Sequence, residues 1–235
     1  MKISRLTLLP GALALVVGVL TEPAFSQANI IDTKHNLSST AGADQIVDKS
    51  TDEDQICVFC HTPHQASPSA PLWNHTQSTT MSYGVYGSST LDASDIADIG
   101  GGTDVSNLCM SCHDGTVGVN DLGNPANDTG GNPTMGTGNE LDATGKILGT
   151  RSANLSTDLS NDHPVNFTYD AALATADGEL QTPDSVDFVD AAKTVPLFSA
   201  KVQCASCHDP HDNTNPPFLV RSNVGSGLCL TCHAK

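Results

Sequence analysis

The sequence predicts a loop-rich, mostly irregular fold with short α-helices, organised around bound groups more than around a side-chain core. Three observations predict it. No helical or strand periodicity persists over a long stretch. Aromatic residues make up 4% of the 235-residue chain, too few to supply a core of ordinary size. All eight cysteines fall in four copies of one five-residue pattern.

The copies are Cys57-Val58-Phe59-Cys60-His61, Cys109-Met110-Ser111-Cys112-His113, Cys204-Ala205-Ser206-Cys207-His208 and Cys229-Leu230-Thr231-Cys232-His233. C-x-x-C-H is the attachment sequence for c-type haem. Two thiols add across the two vinyl groups on one porphyrin edge, and two intervening residues set the gap between the sulfurs. The next histidine is carried beneath the ring, where it can ligate the iron. Disulfides, structural zinc and thioredoxin-like sites all use paired cysteines, but none demands a histidine after every second one. The expectation is four covalent haem c groups, large apolar bodies that the chain wraps in place of a core. The fold class is then a multihaem cytochrome c fold organised around four haems.

From the N-terminus, Lys2 and Arg5 precede an apolar run from Leu6 to Leu20, and small residues follow at Ala24, Ser26 and Ala28. This reads as a secretory signal peptide, residues 1–26, with residues 27–235 forming one tetrahaem domain. The run is shorter than the roughly 20 residues of a spanning helix, so no membrane span is expected after processing. Without Lys2, Arg5 and Glu22, 8 basic and 25 acidic residues remain, a charge of −17. That balance argues against nucleic acid or anionic lipid as a partner and suits a solvated exported surface.

Nine histidines are present, four of them in the motifs. His35, His64, His75, His163 and His211 remain for at most four second ligands. Met81 and Met135 are too few to compete, and Met110 sits inside an attachment motif. Bis-histidine ligation is therefore expected at all four irons, with His35, His64, His163 and His211 as ligands and His75 surplus. Bis-histidine haems sit lower in potential than Met/His haems. His64 and His211 each follow their motif histidine by three positions, so neither reaches the far face of its own haem. Each must serve a different one. Trp73 is expected to pack on a haem face. His35, near the mature N-terminus, is expected to ligate a haem of a neighbouring subunit.

Short helices are expected to carry the attachment motifs, for instance over 224–233, with another over 170–176. Gly100, Gly101 and Gly102, and the Gly/Asn/Asp/Pro-rich stretch 121–142, read as loops. Residues 121–142 lack the spaced ligand pattern and closing Glu of a calcium loop.

Lys34-His35-Asn36-Leu37-Ser38, Cys60-His61-Thr62-Pro63-His64, Leu72-Trp73-Asn74, Cys112-His113-Asp114-Gly115, His163-Pro164-Val165, Cys207-His208-Asp209-Pro210-His211 and the terminal Cys232-His233 together resemble the tetrahaem outer-surface cytochromes of metal-reducing bacteria. Among these, the OmcE-like proteins polymerise into extracellular cytochrome nanowires. The resemblance runs from His35 to the C-terminus and implies that His35, His64, His163 and His211 are distal ligands. It alone implies a filament. Three functions compete: an extracellular polymeric electron conduit serving redox partner proteins and external metal acceptors, a soluble periplasmic electron shuttle, and a redox enzyme. An enzyme would need an open iron. Five spare histidines for four haems argue against one, so no catalytic residue is expected.

Overall fold

The computed structural model describes residues 29–67, 71–97, 99, 104–125, 130–183, 188–189 and 194–234. The expected signal peptide and the glycines at 100–102 lie outside the described residues. Most of the described chain is turn and irregular structure, as the missing periodicity requires.

Each attachment motif sits on a short helical segment. Cys57–Phe59 form a single 3-10 turn. The second motif ends α1, Val105–His113. The third and fourth occupy α3, Cys204–Cys207, and α4, Cys229–Cys232. One helical turn suits the pattern, because it places both cysteines on one side and delivers the histidine at its end. Helix α2, Ala171–Asp177, carries no motif. It starts where the Asp170 side chain accepts a hydrogen bond from Leu173 N, and it ends at Gly178 in the left-handed region at φ 74°. The helix expected over 224–233 is split instead. Val224–Ser226 form a separate 3-10 turn in which Gly225 takes φ 62°, and the Asn223 side chain accepts from Leu228 N at 3.2 Å before α4 begins.

Strand pairing is minimal. β1, Phe167–Thr168, pairs antiparallel with β4, Lys201–Val202, and β2, Phe188–Val189, with β3, Thr194–Val195. The apolar side chains form three small clusters. The first holds Val58, Phe59, Val119, Leu122, Met135 and Leu141, with Cys60 and Cys112 packed against it. The second centres on Phe167, Tyr169, Val195 and Val202, the third on Tyr83, Ile99, Met110 and Leu159.

Buried polar staples join the loops. Asp48, 2% exposed, accepts from the backbone N–H groups of Asn139, Glu140 and Leu141 and from the Asn139 side chain. Burial alone would raise its pKa, but these bonds outweigh it and hold the carboxyl below 3.8. Asp114 is built the same way, accepting from Ser78, Thr80, Tyr83 and Thr116. A third network packs α1 on α3. The Gln203 side chain accepts from Ser106 N and Oγ and donates to Asn166 Oδ1 at 2.9 Å, while Cys204 N donates to Ser106 Oγ at 3.0 Å.

Candidate functional site

The four motifs are neighbours in space as in sequence. Cys60 and Cys112 share the first apolar cluster and feel one another electrostatically. Burial pushes both thiols up to about 12. Cys109 and Cys204 hydrogen-bond side chain to side chain, which raises the first and lowers the second. This is a direct result of the Ser106–Gln203 packing of α1 on α3. Cys207 lies within electrostatic reach of Cys229 and Cys232. None of the eight cysteines is in a disulfide. Among the described residues no three His, Cys, Asp or Glu side chains converge as they would around a zinc ion.

The histidines gather in cross-motif pairs. The ring centres of His61 and His211 are 6.0 Å apart, those of His35 and His113 6.1 Å, and those of His163 and His233 6.4 Å. An imidazole nitrogen sits about 2 Å from a first-row metal ion, and the ring centre lies roughly 1 Å further out. Two rings facing each other across one iron therefore have centres about 6 Å apart. The donor sets fit that arrangement in a second respect. A ligating histidine commonly gives its other ring N–H to a carbonyl, which fixes the tautomer and the ring plane. Here Nδ1 of His61 lies 2.8 Å from Pro71 O, that of His113 2.7 Å from Ala153 O, and that of His208 2.9 Å from Pro217 O. Nδ1 of His35 lies 3.0 Å from Pro210 O, and that of His163 2.9 Å from Pro164 O. Nδ1 of His211 meets Asp209 Oδ1 at 3.3 Å. In each, Nδ1 is the ring nitrogen that these contacts engage. Burial, with help from neighbouring histidines, lowers His35 to about 4, so its ring is neutral and able to ligate at neutral pH. Burial lowers His113 as well.

Within the single chain, His35 lies against His113 and is stacked on Phe218 with ring centres 4.4 Å apart. The segment is tied down: Thr33 Oγ1 donates to Ile30 O, the Asn36 amide donates to Ile31 O, and Ser50 N donates to Leu37 O. These bonds remove the freedom that a chain end ordinarily has.

His64 and His211 are presented by the same turn. Thr62 Oγ1 accepts from His64 N, as Asp209 Oδ1 accepts from His211 N. Yet His61 faces His211, while the exposed His64 meets no other histidine ring among the described residues. The exposed His208 makes no ring contact with another histidine among the described residues, but it lies within electrostatic reach of His35 and His113. His75 is different in kind: it is 3% exposed, with Nδ1 2.7 Å from Thr76 O and Nε2 2.9 Å from Gly118 O. Both nitrogens are engaged, so no lone pair is aimed at an iron. Trp73 stands edge-on to His61 at 6.3 Å. Met110 and Met135 are in apolar clusters and Met81 is 75% exposed.

The Ser106–Gln203–Asn166 network, which sets α1 against α3, has no signature in the sequence, because three polar residues far apart in the chain form no motif. No helix of the described residues is long and apolar enough to cross a membrane. No curated protein matches the chain. Residues 197–235, which span α3, α4 and their connection, match the family model of the doubled CXXCH motif. That pairing indicates a multihaem c-type cytochrome, a chain that binds haem c through its paired cysteines and transfers electrons.

Proposed function

We propose that the chain carries four haem c groups, each iron held between two histidines, and that copies of it polymerise into an extracellular filament passing electrons to external acceptors. The observation that carries this reading is the histidine count by geometry. Among the described residues, three motif histidines lie against a second histidine of the same chain, whereas His208, beside the His35–His113 pair, makes no ring contact with a second histidine of its own, and one ligand-like histidine, His64, is left over on the surface. A vacancy on one face and a ligand on another are a heterologous pair. A second copy supplies what the first lacks, and the contact repeats into a ring or an open filament. Adjacency of the attachment cysteines in the order first, second, third, fourth supports a continuous relay inside each subunit. His64 of one copy on the third haem of the next would continue it. Bound haem supplies the one-electron couple. The chain attaches it, fixes its axial ligands and sets its potential through them.

The test is His64→Ala in the full-length secreted protein. Filaments seen by negative-stain microscopy for the parent chain should disappear, and the released chain should show one high-spin iron by electron paramagnetic resonance. A parent chain that is monomeric, with every iron low-spin, would instead identify a soluble shuttle. An assembled parent with one high-spin iron that binds small anions would identify an enzyme.

A further inference from the structure

We propose that His75 is a positioning residue for the second attachment motif: its Nε2–H donates to the sulfur of Cys112 and holds the haem linkage formed there. The inference rests on covalent haem attachment at Cys112. It gives a role to the one histidine that the ligand count leaves over.

His75 Nε2 lies 3.4 Å from Cys112 Sγ and 2.9 Å from Gly118 O, and Nδ1 lies 2.7 Å from Thr76 O. A carbonyl oxygen only accepts. Once Cys112 is a thioether its sulfur has no proton to give and is itself a weak acceptor. Both groups facing Nε2 are then acceptors, against one facing Nδ1. Placing the ring proton on Nδ1 would set the Nε2 lone pair against an oxygen and a sulfur together. Placing it on Nε2 satisfies both and leaves a single unfavourable contact, with the carbonyl of the adjoining residue. A doubly protonated ring would carry the same Nε2–H, so the argument holds for either charge state.

The ring is held firmly enough to act this way. His75 pairs with Leu122 in an antiparallel bridge. Its neighbour Asn74, 2% exposed, donates through its side chain to Val58 O and Asn124 O, accepts from Asn124 N, and donates through its backbone N–H to Cys60 O. Residues 74 and 75 thus form a clamp. Asn74 fastens to the first motif and His75 to the second, at the point where Cys60 and Cys112 pack against one apolar cluster.

A purely structural buried histidine would satisfy two carbonyls and leave the second haem unchanged. The experiment compares His75→Leu and His75→Gln in the haem-loaded full chain. Pyridine haemochrome quantitation comes first. A parent chain with no covalent haem at Cys112 would defeat the attachment reading itself. With haem present, potentiometric titration should show one couple lowered in His75→Leu, because the sulfur no longer shares density with a proton. The expected change is a threefold to tenfold shift in the oxidised-to-reduced ratio at fixed potential, a tenfold shift being about 59 mV for one electron. His75→Gln, whose amide N–H reaches the same region, should recover most of it. No shift in either variant, or equal shifts in both, overturns the proposal. If the variants lose haem, nitrogen-15 NMR of the ferrous parent chain decides. An exchange-protected proton on Nε2 of His75 sustains the proposal and one on Nδ1 overturns it.

Discussion

His211 stands exposed beside a proline, yet its ring centre lies 6.0 Å from that of His61. If the two share an iron, His211→Ala should leave that iron high-spin by electron paramagnetic resonance while the motif's cysteines keep their haem. His211→Met should keep it six-coordinate and raise that one potential, because a thioether ligand favours the ferrous state over imidazole. A low-spin His211→Ala protein would break the pairing. The types and numbers of these residues were legible in the sequence, since C-x-x-C-H and a surplus of histidines are local signals. Their partners were not. Spacing predicts that His211 serves a motif other than its own, but which ring it meets is set by loops far apart in the chain. His35 shows the limit best. Its position ahead of the first motif gives no sign that, within the chain, its Nδ1 lies on the carbonyl of a residue 175 positions away and that bonds around Thr33, Asn36 and Leu37 hold the segment.

At the scale of elements, what formed was what local chemistry could specify alone. Helix α2 appears one residue from its expected bounds because Asp170 caps it and Gly178 ends it. Asp170→Ala should cost about 1 kcal/mol in a denaturant titration of the haem-loaded chain. The 224–233 helix failed as one piece because the left-handed Gly225 and the Asn223–Leu228 bond divide it, a competition between side-chain and backbone bonding that periodicity does not register. The amide of Gln203 is one of the bonds that join α1 to α3. Gln203→Ala would take from the buried Ser106 N–H and Oγ–H their acceptor, while Ser106 Oγ still accepts from Cys204 N and Asn166 Oδ1 from Lys201 Nζ. We expect a loss of about 2–4 kcal/mol in the same titration. If the second and third motifs both hold haem, their electronic coupling should change too, because their first cysteines meet there. A Gln203→Ala chain of parental stability would show that the haems, not the network, set the packing.

Among the described residues, three small apolar clusters and a few buried carboxylates are slight support for a chain of this length. A chain with all eight motif cysteines changed to alanine, and therefore without attached haem, should lack a cooperative calorimetric transition. Asp48 makes a sharper test. Its carboxyl is held below 3.8 in the fold, so its stabilisation is complete above the unfolded value and is lost as pH falls through the lower folded one. The stability difference between the parent chain and Asp48→Asn should be constant from pH 7 to about pH 4 and shrink below it. A difference that instead changed around pH 6 would point to the histidines as the titrating groups.

The main-chain carbonyls that receive Nδ1 of His35, His61, His113, His163 and His208 carry a consequence for how such a chain can diverge. Every amino acid supplies a carbonyl. The orientation of these imidazoles is therefore insulated from replacement of the side chains at Pro210, Pro71, Ala153, Pro164 and Pro217, provided the backbone keeps its path. Four of the five are prolines, whose fixed φ guards that path. A lineage could rewrite its exposed surface, and with it its partners and solubility, while the planes of these imidazoles stayed where they are.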